Sequence, residues 1–200
     1  GTGDKIDSKI TVSSDKLLFT VDYSKFYLFD YNLDNSYNIY NTQDDLSSTH
    51  GYKKNSYGLG FNVKLPYKYN VNIEEYFSLG ATYDTTDVYG VKSTAASSVS
   101  QNKGETRNII LKTAYVNNSR NEAFNPTDGH LNSVTVSVSP SVISDDDYVK
   151  VIATNNYYYP ILRNTGNIFI LSKIGIASGL DKKLKTKDSF VLGGRDFKGF

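Results

Sequence analysis

The chain has 200 residues, 38% of them hydrophobic, a mean hydropathy of −0.43 and a formal charge of +1. This balance excludes a helical membrane protein, because no stretch approaches the ~18 uninterrupted apolar residues of a spanning helix. The near-neutral charge gives no electrostatic case for nucleic-acid binding, and the absence of cysteine excludes a disulfide scaffold and a thiolate metal site. A membrane β-barrel stays open, since alternating strands keep the mean hydropathy low.

The first fifth of the chain contains segments with the alternation that is typical of β-strands. They cover residues 5–13, 17–23 and 31–39, with a short turn at 14–16. The aromatic-rich stretch at 26–31 fits either a core or a membrane interface. The polar run from Asn41 to Lys54 lacks apolar periodicity, so we expect it to be a loop.

The clearest strand covers residues 57–67. Its odd positions carry Tyr, Leu, Phe, Val, Leu and Tyr without a break, and its even positions carry small or polar residues and one proline. Eleven residues match the ~9 to 11 needed for a tilted transmembrane strand. A tyrosine at each end of the apolar face is typical of the aromatic girdles of membrane barrels, whereas soluble strands are usually shorter.

The rest of the chain repeats strands and connections. The alternation resumes over 71–83, where Glu75 interrupts the apolar face and predicts a bulge or a shift of register. Further strands are expected at 106–116, 131–139, 148–160 and 168–179, with connections at 84–105, 117–130, 140–147 and 162–167.

These segments predict an all-β fold. Roughly nine strands follow one another through turns or loops, with no helical segment between them, so we expect an antiparallel up-and-down sheet. The predicted fold class is therefore an antiparallel, up-and-down transmembrane β-barrel with about nine strands in this chain.

Three motifs occur in a fixed order in the second half of the chain. The first is the turn formed by Pro126, Thr127, Asp128 and Gly129, and the second is the strand end Tyr158-Tyr159-Pro160. The third combines a glycine pair with a later aromatic and glycine motif, and its residues are Gly193, Gly194, Phe197, Lys198, Gly199 and Phe200. This order resembles the Omp85 superfamily, the outer-membrane insertases of the BamA type. The departures are Lys198 where that family has Arg, and Phe197 where it has an aliphatic residue.

The resemblance implies a function and a place. The chain is expected to be part of an assembly factor that inserts and folds β-barrel proteins into the bacterial outer membrane. The implied partners are the lipid bilayer, unfolded outer-membrane proteins and accessory assembly lipoproteins, with no nucleic acid and no cofactor. The alternatives are a two-partner-type secretion pore of the same superfamily or, third, a soluble β-rich adhesin.

The resemblance also implies a domain organisation. Residues 1–200 are expected to be a partial barrel cut at both ends, holding the third to eleventh of sixteen strands. The POTRA domains, the first two strands and the last five would be absent. The loop with the glycine pair would then be extracellular and would dock in the lumen through Lys198, and the Pro126–Gly129 turn would be periplasmic.

No catalytic or metal site is predicted. His50 and His130 stand alone and are interpreted as solvated loop histidines. Asp145, Asp146 and Asp147 lack the spacing of a calcium loop and are interpreted as a solvated outer loop. The Gly58-x-Gly60 pair lies inside a strand, which argues against a nucleotide site, and no Gly-x-Ser-x-Gly elbow occurs, so enzymatic activity is not expected.

Overall fold

A computed structural model describes residues 4–25, 33–70, 73–161, 166–181 and 184–185. Most of these residues belong to nine β-strands. In chain order the strands are β1 Lys5–Val12, β2 Lys16–Lys25, β3 Asn35–Leu46, β4 Tyr52–Asn70, β5 Ile73–Tyr89, β6 Gly104–Asn118, β7 Gly129–Ser139, β8 Tyr148–Ile161 and β9 Gly166–Ser178.

The strands form one antiparallel sheet in sequence order. Each strand pairs with the next, from β1 at one edge to β9 at the other. The predicted fold class and strand number are therefore confirmed. The expectation of no helical segment is wrong, because a five-residue helix, α1 (Ser97–Gln101), lies between β5 and β6. No helix in the described part of the chain is long and apolar enough to cross a membrane.

The connections alternate between the two ends of the sheet. The end with residues 13–15, 47–51, 90–103 and 140–147 is called the upper end, and the end with residues 119–128 the lower end. Two predicted loops are shorter than expected, since β3 and β4 extend into 41–54 and β5 continues to Tyr89. The backbone ladder needs no apolar side chains, so these polar stretches pair as strands outside the apolar band.

Antiparallel register gathers the apolar residues on one face. Leu59 on β4 lies beside Ile39 on β3 and Tyr83 on β5, and Phe61 lies beside Tyr37. We call this side the apolar face and the opposite side the polar face. The predicted alternation is seen in the upper part of β4, because Leu59 is 58% exposed whereas its neighbours Gly58 and Gly60 are buried.

The sheet has no second layer in the described part of the chain. The buried hydrophobic residues there are Val63, Val88 and Tyr148, and large hydrophobic residues on most strands are exposed. A soluble fold would bury such a face against another sheet or helix layer. The apolar face therefore requires a covering that the described part of the chain does not supply.

The irregularity predicted near Glu75 is present on the neighbouring strand. The register between β4 and β5 shifts between Pro66 and Lys68, opposite Tyr76 and Glu75. The shift leaves Tyr67 as an extra residue on β4, as in a β-bulge. Glu75 stays on the same face as Phe77, so the bulge does not remove it from the apolar face.

Gly58 provides a test of the packing on the polar face. An added Cβ would lie 2.4 Å from the Tyr83 carbonyl oxygen and 2.6 Å from the Tyr40 hydroxyl oxygen. We expect Gly58→Ala to lower the free energy of unfolding by about 1–3 kcal/mol in the full-length protein, as for other overpacked sites. The control is Gly166→Ala in β9, where the nearest atom would be 3.5 Å away. Equal urea midpoints for the two variants would contradict this packing.

Candidate functional site

The apolar face has the dimensions of a membrane wall. On β4 it runs from Tyr57 to Tyr67, and these tyrosines are 44% and 73% exposed. This length corresponds to roughly 33 Å along the strand at ~3.3 Å per residue. At the usual tilt of a barrel strand the band is roughly 25 Å tall, which matches the apolar band of transmembrane barrels.

Aromatic rings pack across strands on this face. The Phe77 and Tyr115 rings have centroids 5.2 Å apart, and the Tyr67 and Phe77 rings meet edge to face at 6.3 Å. These three residues lie near the lower end of the band, and Tyr57 and Tyr83 lie near its upper end. Amphipathic rings at both borders of an apolar band are typical of a membrane interface.

The polar face carries a hydrogen-bonded cluster. The Tyr40 hydroxyl donates to the Asp84 carboxylate, which also accepts a hydrogen bond from Thr86 at 3.1 Å. The Thr86 hydroxyl lies 2.9 Å from that of Ser56. A cleft of about 290 Å³ lies over this cluster. The polar face is therefore suited to border water, in contrast to the apolar face.

The loop at 140–147 folds back against the upper part of β6. Asp146 and Asn108 bind each other twice, because the Asn108 amide donates to the Asp146 carboxylate at 3.0 Å and accepts the Asp146 N–H at 2.9 Å. Ser144 bonds the Ile109 N–H at 2.9 Å. The Arg107 N–H donates to the Asp145 carboxylate at 2.7 Å. The pairing of β6 with β7 ends at Leu111, and above that residue the loop lies beside β6 in the place of β7.

The same loop holds the segment that follows β9. The Lys185 ammonium forms an ion pair with the Asp146 carboxylate, and the Asp181 N–H donates to the Asp147 carboxylate at 2.5 Å. Asp146 and Asp147 are buried, with exposures of 3% and 4%. The interpretation of these residues as a solvated loop is therefore wrong. The sequence signal for this contact is the run of three aspartates between two strands. Their bonding partners are distant in the sequence, so the run alone did not reveal the contact.

The predicted turn motif is a compact structure at the lower end. The Asn121 side-chain oxygen accepts the N–H groups of Thr127 and Asp128 at 3.1 and 3.2 Å, and its amide nitrogen donates to the Thr127 hydroxyl at 2.8 Å. The Pro126 carbonyl accepts a hydrogen bond from Asn167 in β9 at 3.2 Å. Asn121 therefore closes the turn, and Asn167 connects the turn to β9.

Gly129 ends this turn for a steric reason. Its φ of +96° is unfavourable for side-chain-bearing residues, and an added Cβ would lie 2.2 Å from the Ser119 carbonyl oxygen. The Asp128 carboxylate accepts the Gly129 N–H at 2.8 Å. The sequence motif thus has a structural requirement, and its predicted periplasmic position stays a prediction.

The two histidines differ from each other. His50 is exposed in the upper loop beside Thr49, as predicted. The prediction for His130 is wrong, because His130 lies in β7, pairs with Tyr157 of β8, and bonds Ser119 and Asn117 at 2.8 and 2.6 Å. The predicted docking residues Gly193, Gly194, Phe197, Lys198, Gly199 and Phe200 lie outside the described residues.

A single antiparallel sheet with one apolar and one polar face defines the wall of a transmembrane β-barrel. In the described residues no group of three or more His, Cys, Asp or Glu side chains could hold a metal ion. The sequence matches the model of the Omp85 superfamily domain over residues 1–200. The chain therefore belongs to the Omp85 superfamily, whose members are non-enzymatic proteins of the outer membrane.

A solved structure supports the same fold. The chain is similar to BamA from Haemophilus ducreyi lacking POTRA domains 1–3, with a TM-score of 0.74 and 18% sequence identity. The similarity covers 97% of this chain and 39% of that one. No curated protein matches the sequence.

The buried carboxylate of Asp146 is a second point to test. Asp146→Ala would leave the Lys185 ammonium and the Asn108 amide without their partner, so we expect a loss of about 3–5 kcal/mol in unfolding free energy. The matched control is Asp145→Asn, because Asp145 is exposed and an amide oxygen can still accept the Arg107 N–H. Denaturant titration of the full-length protein measures both, and a loss confined to Asp145→Asn would refute this role of Asp146.

Proposed function

We propose that this chain is part of a BamA-type assembly factor, which inserts and folds β-barrel proteins into the bacterial outer membrane. The observation that carries the proposal is the match of the whole chain to the Omp85 superfamily domain. The likeness of its nine-stranded sheet to BamA supports it. Unfolded outer-membrane proteins are then the substrates, and accessory assembly lipoproteins are the proposed partners.

In this proposal the two faces have separate tasks. The apolar face contacts the bilayer, and its exposed Leu59 and Ile39 are covered by lipid chains. The polar face borders the lumen, where the Tyr40–Asp84 cluster is hydrated. The upper end, with its long 90–103 connection and helix α1, faces the outside, and the Pro126–Gly129 turn faces the periplasm.

The chain supplies one part of the barrel wall in this proposal. It covers 39% of the similar solved structure. Residues 1–200 would provide the third to eleventh of sixteen strands, with POTRA domains and further strands elsewhere in the protein. The unpaired edges of β1 and β9 would then bond to those strands, because lipid leaves no backbone group unsatisfied.

We further propose that the loop with Gly193 and Gly194 docks in the lumen through Lys198. The contacts at the upper end support a fixed position for the residues that precede this segment. After β9 the chain bonds to the 140–147 loop at two residues, first Asp181 and then Lys185. The base of the loop is thus tied to the barrel wall before the motif begins.

A depletion strain tests the function. The native assembly factor of the source bacterium is depleted while the full-length gene encoding this chain is expressed. We expect normal levels of heat-modifiable outer-membrane barrels, measured on gels. Failure to restore those levels, together with loss of one exported exoprotein when the gene encoding this chain is deleted, would instead support the secretion pore. A product that fractionates without detergent would support the soluble adhesin.

The membrane orientation predicts unequal effects at two neighbouring positions. Phe61 lies on the apolar face near the middle of the band, whereas Asn62 lies on the polar face and accepts a hydrogen bond from Ser78 at 2.7 Å. We expect Phe61→Arg to cost about 2–4 kcal/mol in a folding titration of the full-length barrel, and Asn62→Arg much less. Equal costs would refute the assignment of the faces.

The docking proposal predicts a dependence on the charge at Lys198. We expect Lys198→Glu to reduce outer-membrane protein levels and the heat resistance of the barrel, because in this proposal Lys198 pairs with a carboxylate of the barrel wall, which a glutamate would repel. Lys198→Arg keeps the cation and adds a planar, two-point donor, so it should be tolerated or slightly stabilising. Wild-type behaviour of Lys198→Glu in the depletion strain would leave the segment as a surface turn.

A further inference from the structure

A row of polar residues crosses the apolar face. On strands β5 to β9, Glu75, Asn117, Asn132, Asn155 and Ser172 lie side by side, since each is the register partner of the next. We call these five residues the outer polar row. Such a row is unexpected on a face that otherwise carries aliphatic and aromatic side chains.

Apolar residues flank the row. One step toward the upper end, the register partners are Phe77, Tyr115, Val134, Ala153 and Ile174. Near the lower end, Tyr157 and Ile170 continue the apolar face beyond the row on β8 and β9, and they are 46% and 53% exposed. On β8 and β9 the row therefore lies within the membrane-facing surface. On β6 and β7 the next positions on this face are Ser119 and His130, so there the row borders the polar lower end of the sheet.

A directed chain of hydrogen bonds ends at Glu75. The Asn117 amide nitrogen donates to the Glu75 carboxylate at 2.5 Å, so the Asn117 oxygen accepts from Nε2 of His130 at 2.6 Å. Nδ1 of His130 then accepts from the Ser119 hydroxyl at 2.8 Å, a tautomer assigned from the network. Ser119 in turn accepts the His130 N–H at 3.1 Å. Each donor points toward the carboxylate, which is the negative end of the chain.

The row offers acceptors to a ligand. Glu75 uses one carboxylate oxygen for Asn117, and the side-chain oxygen of Asn132 is buried without a hydrogen-bond partner. None of the five side chains is cationic. A buried amide oxygen left without a donor is costly, so the row is complementary to a ligand that carries a positive charge and N–H donors.

We propose that the outer polar row binds the primary ammonium of ethanolamine-type lipid headgroups, with Glu75 as the main anionic contact. The proposal rests on the proposed function, in which the apolar face contacts the bilayer. Glu75 lies near the start of β5, beside Phe77, whose ring packs on Tyr67. Aromatic residues of this kind mark the headgroup level of a membrane. A primary ammonium has N–H donors for the carboxylate, whereas the quaternary ammonium of choline lipids has none.

The test measures which lipids the full-length protein retains. The protein is placed in nanodiscs that contain equal amounts of phosphatidylethanolamine and phosphatidylcholine, and bound lipids are counted by native mass spectrometry. We expect wild-type protein to retain phosphatidylethanolamine preferentially. Glu75→Gln should lower that ratio about tenfold, as expected for the loss of one charge-assisted hydrogen bond.

The matched control is the neighbouring Glu74→Gln. This substitution removes the same charge at the next position. Glu74, however, lies on the polar face, where the Asn118 amide donates to its carboxylate at 3.5 Å. Its ratio should equal that of wild type. Should Glu75→Gln fail to insert, Asn132→Val provides a second variant, which removes the unpartnered acceptor and should lower the ratio about twofold.

Three results would overturn the proposal. They are no lipid preference in wild type, no change in Glu75→Gln, and an equal change in Glu74→Gln. Lys68 is the register partner of Glu75 on β4. The first of these results, combined with a preference created by Lys68→Gln, would mean that the Lys68 ammonium occupies the carboxylate.

The same nanodiscs separate this proposal from the proposed function. Single cysteines at positions 61 and 62 are labelled with a lipid-soluble reagent, since the chain has no native cysteine. Labelling of position 61 alone with an unchanged lipid ratio refutes only the headgroup site. Labelling of both positions, or of position 62 alone, refutes the membrane orientation itself.

Discussion

The backbone ladder between neighbouring strands is the constraint on which the structure depends. In lipid each N–H and C=O group must be bonded within the protein, and in this sheet the adjacent strands supply those partners from β1 to β9. The register of the ladder also decides which side chains meet. A slip by one residue would turn Leu59 toward the polar face and Gly58 toward the lipid. The register of the strands therefore determines the composition of both faces.

The two faces explain how a sheet without a core can be stable. Few hydrophobic residues of the described chain are buried, because the apolar face is built to be covered by the bilayer. The polar face compensates through side-chain hydrogen bonds such as those of Asp84 and Thr86. The glycines on β4 let bulky neighbours lie over the backbone, as Tyr40 does above Gly58. Apolar exterior and polar interior are thus two results of one alternation.

The upper end couples the wall to the segment after β9. The 140–147 loop binds β6 on one side, through Asn108, and Asp181 and Lys185 on the other. Its buried aspartates make this contact expensive to break, because a lone buried charge has no water to replace its partner. The outer polar row places a second bonded carboxylate on the exterior. Among the described side chains, Glu75 is bonded by Asn117, whereas Asp146 is bonded by a lysine.

The sequence by itself determined the nine-stranded order, the alternation of 57–67 and the Pro126–Gly129 turn, because a period of two and turn chemistry are local properties of the chain. It did not determine where β3 and β5 end, since polar residues pair as readily as apolar ones above the band. Nor did it reveal the burial of Asp146 or the bonding of His130. Only the tertiary structure decided these, because their partners, Lys185 and Asn117, come from other elements that the antiparallel register brings alongside.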